Sequence, residues 1–78
     1  MTKSYDEILK IGLVNISKNN YNESKKYFSK LLEIDKFRYE GYINLSNVFV
    51  LQDNQVKAIK LLKNYLDNID SHPEIINA

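Results

Sequence analysis

The 78-residue chain contains no cysteine and no tryptophan, and only one proline, two glycines and one histidine. Without cysteine there is no disulfide to staple a small core and no thiolate to act as nucleophile or metal ligand. A lone histidine, His72, cannot assemble a zinc site. A reducing, intracellular (cytoplasmic) compartment fits this composition. An excess of either charge is missing too: 11 Lys and Arg stand against 10 Asp and Glu, a formal net charge of +1. No long-range field therefore draws the chain toward nucleic acid or anionic lipid. Long hydrophobic runs are absent as well. The longest is Val48-Phe49-Val50-Leu51, and Asp6 and Glu7 precede any apolar stretch at the start, so neither a signal peptide nor membrane insertion is expected. Gly-rich phosphate loops, a nucleophile elbow and paired His or Cys ligands at i, i+4 are not found. The sequence points to a protein that is not an enzyme and carries no cofactor and no metal.

What remains is rich in helix formers. Apolar residues recur at three- and four-residue steps in four windows, about 5–18, 21–35, 39–51 and 55–69. The breaks between them are short and polar: Ser17-Lys18-Asn19-Asn20, Asp35-Lys36-Phe37-Arg38 and Gln52-Asp53-Asn54. Asparagine suits a left-handed residue at a helix end. Connections this short force neighbouring helices to lie antiparallel. The expected fold class is all-α, about four antiparallel helices followed by a short C-terminal helical stub.

The chain also repeats itself. Sliding the sequence by 34 positions sets Tyr5 on Tyr39, Val14 on Val48, Asn20 on Asn54, Lys26 on Lys60 and Leu32 on Leu66, with similar residues between them. One more step from Tyr39 and Glu40 reaches Pro73 and Glu74, where Asp70 or Ser71 can cap and proline suits a first helical turn. The expected organisation is one domain, 1–78, with repeat one at 5–38, repeat two at 39–72, and the start of a third or capping helix at 73–78.

Copy one reads Ile8-x2-Ile11-Gly12-x2-Asn15, Tyr21, Ser24-x3-Phe28. Copy two reads Tyr42-x2-Leu45-Ser46-x2-Phe49, Ala58-x3-Leu62. Over roughly residues 5–70 this pattern resembles the tetratricopeptide repeat (TPR), with Asn15 in place of the usual aromatic and Lys36 and Asp70 in place of the usual proline. The resemblance implies an α-solenoid of helix-turn-helix units. Gly12, Ser24, Ser46 and Ala58 would then be small where backbones approach, and Ile8, Ile11, Tyr21, Phe28, Tyr42, Leu45, Phe49 and Leu62 would fill the spaces between.

In that family the first helix of each repeat lines a concave groove that takes peptides. At about 100° per residue, Ile8, Ile11 and Gly12 share one side of the first helix, while Leu9, Leu13 and Ile16 make a second apolar stripe. The stripe continues in copy two through Ile43, Asn47 and Val50, with Asn44 and Leu51 beside it. The expected ligand groove is Leu9, Leu13, Ile16, Ile43, Asn44, Asn47 and Val50, suited to an amphipathic helix or extended apolar segment, with Asn44 and Asn47 available to a peptide backbone. Leu9 and Leu13 stand where a carboxylate-gripping groove would need lysine and asparagine. The same stripe read blandly is core, covered by a neighbouring segment or another copy of the chain.

Lysines at 25, 26, 30, 57, 60 and 63 fall on both second helices, but Glu23, Glu33 and Asp67 interrupt them, and they read as a solvated outer face. The tyrosines and phenylalanines fall largely at packing positions, and His72 reads as a turn residue. Three functional readings follow: a protein- or peptide-binding scaffold, the N-terminal repeat segment of a longer protein such as a glycosyl- or sulfotransferase with its chemistry elsewhere, and a self-associating (homo-oligomeric) structural module.

Overall fold

In the computed structural model, which describes residues 3–70, the chain forms α1 (Tyr5–Ser17), α2 (Tyr21–Ile34), α3 (Tyr39–Leu51) and α4 (Gln55–Asp70). Each helix lies within one residue of its apolar window at either end. The expected stub at 73–78, and His72 with it, lies outside the described residues.

Local chemistry sets the boundaries. Ser4 caps α1 through a reciprocal box: its Oγ accepts from the Glu7 backbone N–H, and Glu7 Oε1 accepts from the Ser4 N–H, both at 3.2 Å. Two turns then repeat the same geometry 34 residues apart. After α1, Asn19 sits at φ 61°, its N–H donating to Ile16 O at 2.9 Å, while the Asn20 N–H donates to Asn15 O at 2.8 Å. After α3, Asp53 sits at φ 60°, with its N–H to Val50 O at 2.9 Å and the Asn54 N–H to Phe49 O at 2.7 Å. Both are left-handed C-terminal caps that satisfy the last free carbonyls. In the second turn the left-handed residue is the aspartate, not the neighbouring asparagine, because each turn is registered on its helix end and Asp53 falls in the place of Asn19. The α2–α3 connection lacks proline and is shaped by a side chain instead, with Asp35 Oδ1 accepting from the Phe37 N–H at 3.0 Å.

The helices pack in series: α1 on α2, α2 on α3, and α3 on α4, with α1 also meeting α3. Among the described residues α4 packs on α3 alone. This is an open array, not a closed four-helix bundle, and its extents of 37 × 35 × 15 Å describe a thin slab. Its core is Ile8, Phe28, Leu31, Leu45 and Val48, extended by Tyr42 and Ala58. Gly12 is essential to the α1–α2 contact, since a Cβ there would lie 2.8 Å from Phe28 Cδ1 and Cζ. Ser24, Ser46 and Ala58 are likewise buried, and the two serine hydroxyls donate back to Tyr21 O and Ile43 O of their own helices.

Most residues assigned to packing from sequence are buried or half-buried: Ile8, Gly12, Ser24, Phe28, Tyr42, Leu45, Ser46 and Ala58 fully, Ile11, Tyr21 and Phe49 in part. Leu62 is the correction, being exposed at 37%. Its counterpart Phe28 is enclosed because α2 has a helix on either side, whereas among the described residues α4 has α3 alone. Leu31 and Val48, both at 0% exposure, are core residues that the packing assignment omitted.

Candidate binding surface

The α1–α3 pair carries the surface that the second apolar stripe anticipates. Packing against neighbouring helices consumes Ile8 and Gly12 on α1 and Gly41, Tyr42, Leu45, Ser46 and Val48 on α3, with Leu45 and Val48 joining Ile8, Phe28 and Leu31 in the core. Ile43, Asn47 and Val50, at i, i+4 and i+7, fall on a different side of α3 and remain exposed, with Ile43 at 51% and Val50 at 47%. On α1, Leu13 is exposed.

The remaining anticipated residues are less free. Leu9 and Ile16 are half-buried and pack against the core. Asn44 is half-buried, and its Nδ2 donates to Glu40 O at 2.8 Å within its own helix, as Asn15 Nδ2 does to Ile11 O at 2.9 Å. Two parts of the stripe thus behave differently: Leu13, Ile43, Asn47 and Val50 face outward, while Leu9, Ile16 and Asn44 form the half-buried base. Leu51, also exposed, extends the apolar surface at the end of α3. The sequence places it beside the stripe.

A polar cluster stands where α1 and α3 begin. The Arg38 guanidinium lies 3.8 Å from the centre of the Tyr5 ring and donates to Glu40 Oε2 at 2.9 Å. That hydrogen bond holds the Glu40 carboxyl below its ordinary range and raises Arg38. Burial, reinforced by the Glu40 charge, pushes the Tyr5 phenol up. The cluster fixes how the two first helices sit at one end. At the same end, Tyr42 joins the α2–α3 connection, α3 and α4: its hydroxyl donates to Lys36 O at 2.9 Å and accepts from Asn68 Nδ2 at 3.1 Å, and its ring lies 4.7 Å from that of Tyr65.

The lysines on the second helices are exposed except Lys25, which is half-buried. Lys25 of α2 and Lys57 of α4 both reach over Phe49 of α3, at 5.7 and 5.8 Å from the ring centre. Among the described residues no group of three or more His, Cys, Asp or Glu is placed to hold a metal ion, and no helix is long and apolar enough to cross a membrane. In comparisons with known proteins the chain matches no family model, no curated protein and no solved structure.

Proposed function

We propose that this chain is a non-catalytic, TPR-like protein-binding module that takes an amphipathic helix or extended apolar segment across α1 and α3. The observation that carries the reading is the outward row Ile43, Asn47 and Val50, with Leu13 on the adjoining helix. Three aliphatic side chains and an amide stand exposed on the helices that open each pair. An apolar row with a polar member inside it suits a ligand that offers both side chains and backbone groups. Support for the TPR-like character comes from the 34-residue sequence register together with the doubled Asn19 and Asp53 caps and the serial packing of the helices. The near-zero net charge favours protein over polyanion as the partner.

Selection from a random-peptide display library tests this. Enriched sequences are expected to carry apolar residues at helical or alternating spacing and to lose binding at least tenfold on the Leu13→Glu/Val50→Glu chain. Failure to enrich any sequence, or enrichment of uniformly charged ones, would sink the proposal.

A further inference from the structure

The two helices of the proposed surface are each seated on α2, and they meet one another only lightly. On α1 the close approach to α2 is at Gly12, past the middle of the helix, where a Cβ would lie 2.8 Å from Phe28 Cδ1 and Cζ. On α3 it is at Gly41, in the first turn, where a Cβ would lie 2.8 Å from Leu32 Cδ2 and 3.1 Å from Leu31 Cβ. The start of α3 is therefore fixed at its closest point, whereas the start of α1 lies two turns from its own.

Arg38, the residue before α3, reaches across that difference. It stands at the N-cap of α3 but gives that helix no side-chain cap. Its guanidinium turns instead to α1, 3.8 Å from the centre of the Tyr5 ring, while it donates to Glu40 Oε2 at 2.9 Å. A guanidinium has a flat face for a ring and edge donors for a carboxylate, so one side chain makes both contacts at once. Tyr5 also packs against the core. Tyr5, Leu9 and Leu13 follow at four-residue steps along one side of α1. Whatever fixes Tyr5 thus helps to orient the face that carries Leu9 and Leu13, although Arg38 lies outside the apolar row.

Resting on the reading of α1 and α3 as a binding surface, we infer that Arg38 is a positioning residue for it: by bridging Tyr5 and Glu40 it holds the start of α1 at a set spacing from α3. Without the bridge α1 is free to swing about the Gly12 contact. Molecules in which the two helices have parted do not present the surface, and apparent affinity falls with the fraction that does.

Two measurements on the full 78-residue chain test this. Nuclear Overhauser contacts between α1 and α3, recorded without peptide, read the spacing itself. Arg38→Met, at an exposed position, should keep its helical circular dichroism and its Gly12–Phe28 contacts but lose α1–α3 contacts around Tyr5. Titration with a display-selected peptide should then show affinity about threefold to fivefold below the parent. Arg38→Lys, which keeps the cation but not the fork, should recover part of both losses. Tyr5→Phe keeps the ring and removes a hydroxyl that is buried without a hydrogen-bond partner, and it should bind like the parent. Parent-like α1–α3 contacts in Arg38→Met, altered contacts with parent-like affinity, an Arg38→Lys chain no better than Arg38→Met, or weakened binding by Tyr5→Phe would each overturn the inference. Should no peptide bind the parent chain, the binding proposal alone fails, and the peptide-free contacts still decide whether Arg38 sets the spacing.

Discussion

The ring of Phe28 occupies the space that a side chain at Gly12 would need, and the two residues together set how close α1 and α2 can come. Alanine in a helix is worth about 1 kcal/mol over glycine, but overpacking a filled core costs about 1–3 kcal/mol. Gly12→Ala is therefore expected to destabilise despite its better propensity, by up to about 2 kcal/mol in urea denaturation. Pairing it with Phe28→Leu should recover part of the loss. Phe28→Ala alone removes about 3–5 kcal/mol, as much as a core of this size supplies, and should leave the chain unfolded.

The two left-handed caps should respond alike. Asn19→Val and Asp53→Val each place a β-branched residue at positive φ, and each should cost about 1–2 kcal/mol in thermal or urea unfolding. Glycine at either position should cost nothing or stabilise. Were valine tolerated at one turn and not the other, the two turns would not be equivalent.

Tyr42→Phe strips the hydroxyl that serves both Lys36 O and Asn68 while leaving the ring against Tyr65. The expected loss is about 1–2 kcal/mol. Hydrogen exchange should locate it in the 35–38 connection and in α4, with α1 little affected.

Stability should fall at both ends of the pH range. Glu40 has its carboxyl lowered by the Arg38 hydrogen bond, so its contribution is present above the ordinary carboxylate range and is lost as pH falls through the depressed value. Arg38→Met should shrink that acid-side loss, and the effect should be small because the pair is partly solvated. Tyr5 and Tyr65 are both raised by burial first, so they contribute fully below the ordinary phenol range and the contribution is lost as pH rises through the raised values. Unfolding monitored by circular dichroism against pH checks both limbs.

The helices and their order were legible in the sequence because apolar spacing and short polar breaks are local signals. Gly12, Ser24, Ser46 and Ala58 were legible too, because a small residue repeating at a fixed register says where backbones approach. Leu62 was not, since its burial depends on what covers α4 and not on α4 itself. The same holds in reverse for Leu9 and Ile16, which pack against the core. Periodicity tells which residues share a helix face; which face meets solvent is decided by neighbours in space. Nothing local marks Lys25 and Lys57 as partners of Phe49, because a lysine over a ring reads in sequence as any surface lysine.

The role proposed for α1 and α3 is to form together a surface that receives an apolar or amphipathic segment. Amide chemical-shift mapping of the labelled chain, titrated with a display-selected peptide, addresses it most directly. The shifts are expected to concentrate on Leu13, Ile43, Asn47 and Val50 and their neighbours, and to vanish in the Leu13→Glu/Val50→Glu chain while persisting in Ile59→Glu/Leu66→Glu. Shifts centred on α2 or α4, or binding that survives Leu13→Glu/Val50→Glu, would contradict it.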